Sequence, residues 1–239
     1  MKLLAIYVLC TATVLAIPSG DSDLIYQSLT YAEELNLGEK PSVILPLKQF
    51  WLPEPEKDFL PAVALLYPRK DSLEIVVTMK DAAVYSDANG SNQFMWKLGD
   101  VVEIFIGVEG KGNYWELHVT PNNYHLQLHW SHDGLDNVRA GEKSIEDFMV
   151  DAPSLFESQV SIGPEKDIWQ VHVTLPWQSI GLAPGQCDYE VDMAICRYDA
   201  TPGVVGTVLS STAPLRARSY HRRLEWNALS LTPQSLAKD

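Results

Sequence analysis

The sequence predicts an all-β protein built as an antiparallel β-sandwich of the jelly-roll kind. Short apolar or alternating runs dominate its 239 residues, and turn residues separate these runs at short intervals. We find no long segment with the 3.6-residue period of an amphipathic helix. Seven or more short strands joined by tight turns are typical of a sandwich.

Eight runs are predicted to be strands because they are rich in β-branched residues or alternate in polarity. Connectors rich in Pro, Gly and Asp, such as LPEPEKD, APGQCD and ATPG, separate them. Neither a repeat nor a linker divides the chain, so we expect residues 17–239 to form a single domain. The predicted strands span residues 73–79, 101–108, 115–120, 124–130, 156–162, 168–175, 189–197 and 227–231.

Residues 1–16 have the pattern of a signal peptide. Lys2 provides the positive charge, residues 3–15 form an apolar run that is short for a membrane span, and Ala16 is a small residue at the cleavage position. We therefore expect a mature chain that begins near Ile17 and is secreted or periplasmic. No later segment of the sequence is long and apolar enough to span a membrane.

The net charge of −13 argues against nucleic acid or an anionic membrane surface as the partner, because both require clustered Lys and Arg. One basic cluster, formed by Arg216, Arg218, Arg222 and Arg223, lies among loop residues. We expect these four side chains to neutralise nearby acidic groups.

Two cysteines, Cys187 and Cys196, remain after removal of the predicted leader. They bracket a predicted strand, and their separation of nine positions places them roughly 30 Å apart at about 3.3 Å per residue. A disulfide needs Cα atoms within about 7 Å, so both should be free thiols, and we expect them to be core residues. The sequence contains neither CxxC nor CxxCH, which leaves structural zinc and c-type haem without support.

Alternation in four of the predicted strands sends apolar side chains to one face and polar side chains to the other. The polar set is rich in carboxylates, imidazoles and amides, which form directional hydrogen bonds of the kind that sugar hydroxyls need. A merely solvated face and a transition-metal site remain open as alternatives, although no pair has a diagnostic metal spacing. The polar set comprises Glu103, Glu116, His118, His125, Gln127, His129, Gln170 and His172.

Five segments carry a family resemblance. WKLGDVVEIFIG at 96–107 combines a Trp, an Asp and a Val-Glu-Ile-Phe strand, and YWELHVTPNN at 114–123 is a strand that ends in Asn and Pro. LPWQSIGL at 175–182 is a hydrophobic-Pro-Trp turn, and MAICRY at 193–198 is a strand that ends near Arg. SYHRRLEWNALSL at 219–231 closes the set. In this order they resemble the family 9 carbohydrate-binding modules and their DOMON-like relatives.

The resemblance implies a β-sandwich module without catalytic activity that holds a sugar, often at a chain end, between aromatic side chains. Trp96 matches the Trp just before the Val-Glu-Ile strand of the family, and Glu103 matches the Glu of that strand. For the second aromatic wall we favour Trp226 over Tyr220 because Trp226 lies in the final segment. The predicted carbohydrate-binding residues are Trp96, Glu103, Glu116, His118, Gln127 and Trp226.

Two further expectations come from the family. Arg197 is a positional candidate for the Arg that contacts sugar, although residues of other types occupy the strand that would first be expected to carry it. Some family members hold calcium as a structural ion, and Asp81, Asp87 and Asp100 could supply oxygen ligands here. The sequence assigns no cofactor with certainty, and structural calcium is the ion that the resemblance suggests.

Three other functions are compatible with the sequence. DOMON-like sandwiches can hold haem b for electron transfer between Met and His, and Met95 and the strand histidines could provide such ligands. A glycosidase would need two carboxyls about 5–9.5 Å apart, one of them with a raised pKa. Glu103 and Glu116 could meet that distance, but we expect their face to be open and wet, which does not raise a pKa. The third alternative is an extracellular interaction domain without a small ligand.

Overall fold

The computed structural model describes residues 19–38 and 40–234. Its strands form two antiparallel sheets that pack face to face, which confirms the predicted β-sandwich. The predicted leader, residues 1–16, lies outside the described residues. In the described part of the chain, no helix has the length and apolar character needed to cross a membrane. The strands are β1 (Val43–Leu47), β2 (Ala62–Pro68), β3 (Ser72–Lys80), β4 (Val101–Val108), β5 (Tyr114–Val119), β6 (His125–Trp130), β7 (Glu157–Ile162), β8 (Ile168–Pro176), β9 (Tyr189–Ala200), β10 (Thr207–Ser211) and β11 (Asn227–Leu231).

The five-stranded sheet has the order β1-β2-β3-β8-β7, and the second sheet has the order β10-β9-β4-β5-β6, with β11 also paired to β9. Their inner faces meet in the main core, where Ile75, Ile104, Leu117 and Val173 are fully buried. All eight predicted strands are present, and β4 and β11 have the predicted bounds.

Three strands, β1, β2 and β10, are not predicted by the alternation. Every residue of β2 is buried, so its apolar run AVALLYP carries no period of two. β1 lies at a sheet edge, where a proline such as Pro46 is tolerated even though proline usually argues against a strand. β10 has a polar C-terminal half, SS, that resembles a turn.

The prediction of no amphipathic helix is wrong. Helix α1 (Ser19–Glu34) packs on the outer face of the five-stranded sheet, where Leu24 and Ala32 lie in one apolar cluster with Val63 of β2. Ser28 lies in the same buried stripe, and its hydroxyl donates to the carbonyl of Leu24 at 2.8 Å. Because a polar residue interrupts this short stripe, the helix gives only a weak periodic signal.

A second apolar layer covers the outer face of the six-stranded sheet, so the prediction that this face is open and wet is also wrong. The layer comes from segments 131–149 and 213–226, and its Tyr220 ring lies 6.1 Å from the ring of Phe105 of β4. The polar side chains that the layer buries are Glu103, Glu116 and His118, which expose 2%, 3% and 0% of their surface.

The predicted polar set does not form one surface. β8 pairs with β3, so Gln170 and His172 belong to the five-stranded sheet, where His172 Nε2 lies 2.8 Å from Glu74 Oε2. Alternation within a strand separates its two faces, but it does not say which sheet the strand joins.

Strand β6 also has the opposite orientation to the one predicted. Its Leu126 stands beside His118, and its Gln127 stands beside Leu117 of the main core. Residues directly opposite each other in a sheet share a face. Gln127 therefore lies on the other side of the sheet from His118, and the apolar side of β6 faces the second apolar layer.

The long strand β9 carries two strands along one edge. Its 12 residues pair with β4 on one side, while β11 and β10 pair with its first and last parts on the other side. Between them, Thr212 exchanges two hydrogen bonds with Ile195: Thr212 N donates to the Ile195 carbonyl, and Ile195 N donates to Thr212 Oγ1, both at 2.9 Å. The chain then leaves the edge, and residues 213–226 cross the outer face before β11 begins.

Both cysteines in the described residues are free, as predicted. Cys196 is buried in β9. Cys187 precedes this strand and is exposed, so its predicted place in the core is wrong.

Arginines of the predicted basic cluster pair with acidic side chains. Arg222 forms two hydrogen bonds with Glu225, and Arg223 contacts Asp192 at 3.2 Å. Both pairs agree with the expected neutralising role.

Arg197 does not reach the outer face near Glu103. It is 1% exposed, donates to Asp81 at 2.8 Å and forms an ion pair with Asp199 at 3.0 Å, in a buried cluster that also contains Asp100. Asp87 is not among the acidic groups of this cluster, and calcium binding remains a prediction. Burial raises the pKa of Asp199 to about 6, although Arg197 opposes the shift.

The raised pKa of Asp199 predicts that ionisation of this carboxyl lowers the free energy of unfolding as pH rises. A carboxyl whose pKa is higher in the folded state stabilises the fold below its unfolded pKa and loses that contribution as pH rises to about 6. The melting temperature of Asp199→Asn minus that of the wild type should therefore increase from pH 4 to pH 7. The expected change is several degrees, since about 1 kcal/mol shifts Tm by roughly 2–4 °C at this size. Asp23→Asn, at an exposed position of α1, is the control, and an equal increase in both variants would contradict the assignment.

Candidate functional site

A cavity of about 280 Å³ opens on the outer face of the six-stranded sheet. Carboxylates of β4 and β5 form its floor, and the second apolar layer forms its walls. Segment 213–226 and the short helix α2 (Gly134–Arg139) contribute to these walls, as does a single turn of 3₁₀ helix at Met95–Lys97.

The polar floor follows from the register of β4 and β5. Glu103 stands directly opposite His118, and Glu116 shares their face because it lies two residues before His118. His118 Nε2 lies 2.8 Å from Glu116 Oε1 and 3.4 Å from Glu103 Oε1. The imidazole is therefore held between the two carboxyls, behind the cavity surface.

These three groups shift one another's protonation. Burial raises the pKa of Glu103 to about 8, and the nearby His118 only partly opposes this. Burial also acts to raise the pKa of Glu116, but His221, His118 and the Trp130 N–H hold it below its usual value. The pKa of His118 is raised, because the two carboxylates outweigh the effect of burial.

Glu116 is well supplied with partners, whereas Glu103 is not. Trp130 Nε1 donates to Glu116 Oε2 at 2.6 Å, and His221 Nε2 lies 3.7 Å from the same oxygen. His221 is itself oriented by the Tyr114 hydroxyl, 2.8 Å from its Nδ1, and burial lowers its pKa. Among the described residues Glu103 has no hydrogen bond, and its one contact with an ionisable group of opposite charge is the 3.4 Å approach to His118.

Aromatic side chains line the walls. Trp96 is half-buried, and its ring meets the His118 imidazole edge-on at 5.6 Å. Tyr198 of β9 is also half-buried, and in the described part of the chain its hydroxyl has no hydrogen-bond partner. Tyr220 packs against Tyr198 at 5.4 Å and donates its hydroxyl to the carbonyl of Arg197 at 2.6 Å.

The remaining wall is largely aliphatic, and Arg218 and Ser219 also line the cavity. Leu135 and Val138 come from α2, Ile145 follows that helix, and Leu128 comes from β6. The cavity therefore presents apolar and aromatic surface above a floor of carboxyl groups.

Four of the six predicted binding residues lie at this cavity. Trp96, Glu103 and Glu116 line it, and His118 lies directly behind the two carboxyls. The register of β4 and β5 brings Glu103, Glu116 and His118 together, and the 3₁₀ turn at Met95–Lys97, which precedes β4, places Trp96 beside them.

The other two predicted residues lie elsewhere. The Gln127 side chain donates to the Val150 carbonyl at 3.1 Å and accepts from Leu155 N. Trp226 packs under Tyr220 and donates Nε1 to the Tyr220 carbonyl at 2.8 Å. Neither side chain lines this cavity, although Trp226 lines an adjoining cleft. The second aromatic wall of the cavity is formed by Tyr220 and its neighbours.

Sequence reasoning missed Tyr198 and His221. Tyr198 directly follows Arg197 in the MAICRY segment, and His221 follows Tyr220 in the closing segment. Both segments carry the family resemblance. No spacing indicates that Tyr198 and His221 line the same cavity, because more than 20 residues separate them in sequence.

Comparisons with known proteins give the fold an independent reference. No family model and no curated protein matches the sequence. The structure is similar to a Bacteroides uniformis protein named as a candidate carbohydrate-binding protein, with a TM-score of 0.60, 14% identity, and coverage of 93% of this chain and 95% of the other. It is also similar to a family 9 carbohydrate-binding module from Caldicellulosiruptor kristjanssonii in complex with cellotriose, with a TM-score of 0.50, 12% identity, and coverage of 79% and 82%. The chain therefore has the β-sandwich fold of the family 9 carbohydrate-binding modules.

Proposed function

We propose that this chain is a non-catalytic carbohydrate-binding module that holds a sugar residue in the cavity above Glu103 and Glu116. The observation that carries the proposal is the combination of aromatic walls and a carboxyl floor in one cavity of about 280 Å³. Sites for drug-sized ligands are about 300–1,000 Å³, so this volume suits a single ring better than a large ligand.

The two kinds of surface match the two kinds of surface on a pyranose. Its C–H face packs against an aromatic ring, and Trp96 offers a half-buried indole at the cavity edge. Its hydroxyls both donate and accept hydrogen bonds. Glu103 and the Tyr198 hydroxyl are free of other hydrogen bonds in the described residues and can take these roles.

A longer saccharide has room to continue from the cavity. An adjoining cleft of about 950 Å³ shares Leu135 and His221 with it. We infer that the cavity takes a terminal sugar residue and that the cleft takes the units next to it. The similar Caldicellulosiruptor module was solved with cellotriose, which supports trying a β-glucan series first.

The floor geometry supports a module without glycosidase activity. Retaining glycosidases hold two carboxyls about 5–5.5 Å apart with the scissile bond between them. Here the ligand atoms of Glu103, Glu116 and His118 lie within 4.8 Å of one another, and the imidazole occupies the space between the carboxyls.

The direct test is a glycan-array or affinity-gel screen of the purified protein. Saturable binding to a saccharide would support the proposal. Absence of binding to any saccharide would favour an interaction domain, and a Soret absorption band would favour haem. The fully buried Met95 does not line the cavity, which argues against a haem there.

We also propose that the protein is exported. The support is the charged and apolar pattern of residues 1–16. N-terminal sequencing of the protein from the expressing cell should find a start near Ile17, outside the cytoplasm. Recovery of the chain beginning at Met1 would contradict this.

The role of Trp96 can be separated from its packing by a matched pair of variants. Trp96→Ala should weaken saccharide binding by about 1–3 kcal/mol, the scale of one aromatic anchor. Trp51→Ala is the control, because Trp51 is also half-buried against the second apolar layer but does not line the cavity. Calorimetric affinity and Tm should be measured for both. Equal affinities in the two variants would remove Trp96 from the site.

Two tyrosines at the cavity allow a second test. Tyr198→Phe removes a hydroxyl that has no hydrogen-bond partner among residues 19–38 and 40–234. Affinity should therefore fall about 2- to 10-fold, as expected for one hydrogen bond of about 0.5–1.5 kcal/mol, while Tm stays near the wild-type value. Tyr220→Phe should instead lower Tm, because it leaves the Arg197 carbonyl without its 2.6 Å donor. A Tyr198→Phe variant that loses stability but keeps its affinity would show that Tyr198 serves packing.

A further inference from the structure

The floor of the cavity gathers three metal-ligating side chains on two adjacent strands. The ligand atoms of Glu103, Glu116 and His118 all lie within 4.8 Å of one another, and all three side chains are buried. A fourth candidate, His221, places Nε2 3.7 Å from Glu116 Oε2. His118 therefore approaches one oxygen of the Glu116 carboxylate, Oε1, and His221 approaches the other, Oε2.

The spacing of these atoms fits a small divalent ion. Four ligands at about 2.0–2.1 Å from a tetrahedral centre lie about 3.3 Å from one another. The separations observed here are 2.8 Å for His118 to Glu116, 3.4 Å for His118 to Glu103, and 3.7 Å for His221 to Glu116. The two His118 distances lie on either side of the tetrahedral separation, and the ligand atoms of the two carboxyls are within 4.8 Å of each other. Small side-chain adjustments would bring all three groups onto one ion.

A second observation is independent of this spacing. The Glu103 side chain is only 3% exposed, and in the described part of the chain no group donates a hydrogen bond to it. Burying a carboxyl group without a donor is costly. Glu103 lines the cavity, so a cation at the floor would give it the partner that the protein does not.

Surrounding groups hold two of the ligands in place, as is common around metal sites. The Trp130 N–H orients Glu116 at 2.6 Å, and the Tyr114 hydroxyl orients His221 at 2.8 Å. His118 differs, because its Nδ1 is buried without a hydrogen-bond partner among the described residues. Its position is set instead by the Trp96 ring at 5.6 Å.

We propose that Glu103, Glu116 and His118 bind a divalent ion of the late first transition series, such as Zn²⁺, with His221 beside Glu116 as a candidate fourth ligand. Imidazole nitrogen and carboxylate oxygen together favour such an ion, whereas Ca²⁺ and Mg²⁺ prefer sites made of oxygen. The two carboxylates balance its charge. The side of the site that faces the cavity stays open to water or to a hydroxyl group.

The test uses the untagged full chain, stripped with a chelator and titrated with ZnCl₂ in a calorimeter. We expect one Zn²⁺ per chain and a rise in Tm on binding. Glu103→Gln and His118→Gln should each weaken binding at least tenfold. His172→Gln is the matched control, because His172 is also buried and pairs with a carboxyl, Glu74, at 2.8 Å in the other sheet.

Several results would overturn the proposal. These are no zinc binding, equal binding by the wild type and the two ligand variants, or loss of binding in Cys187→Ser, which would assign the metal to the exposed thiol. If the ligand variants do not fold, X-ray absorption of the zinc-loaded wild type decides. Imidazole and oxygen ligands are expected, and a sulfur ligand would contradict the site. Saccharide binding without zinc binding would refute this inference and leave the proposed function intact.

Discussion

The Glu116 carboxylate is buried beneath an apolar layer and needs hydrogen-bond partners there. The arrangement of the cavity depends on which groups supply them. Only 3% of the Glu116 surface is exposed, and His118, the Trp130 N–H and His221 surround the carboxylate at 2.8, 2.6 and 3.7 Å. Each partner also has a second task. Trp130 and His221 are walls of the cavity, and His118 stands behind Glu103. The electrostatic requirement of one buried charge therefore fixes the positions of the surfaces that a ligand would touch.

The same burial makes the two carboxyls chemically different. Glu116 collects donors and cations, and its pKa is held down, whereas Glu103 has a single long contact and its pKa is raised to about 8. Without a bound ion, Glu103 is therefore the carboxyl that more readily keeps its proton, and Glu116 is an occupied acceptor. A floor of this kind can accept from one ligand group and donate to another, which an exposed pair of ordinary carboxylates cannot do.

Much of this structure could be predicted from the sequence, and the failures have identifiable causes. β4 and β5 alternate clearly, so their register and the meeting of Glu103 with His118 follow from short-range pattern. β6 alternates just as clearly, yet the same rule gives the wrong side, because a second apolar layer offers its apolar residues another place to be buried. Gln127 was misplaced for this reason. Tyr198 and His221 come from distant segments. Tertiary packing brings both to the same cavity, and no local sequence period encodes it.

One edge of β9 pairs with two strands, β10 and β11, and the segment between these strands makes a single excursion away from the sheet. Residues 213–226 leave the sheet beside Thr212 and return to the same strand at Asn227, so the excursion begins and ends at neighbouring points of one edge. These two pairings anchor the backbone of the excursion, and buried side chains such as Tyr220 and Trp226 attach it to the sheet. One contiguous stretch can therefore be lengthened, shortened or exchanged while every other strand keeps its partner, and that stretch supplies Tyr220 and His221. A lineage with this scaffold can change what it recognises by editing a single loop, and a protein engineer can do the same by grafting.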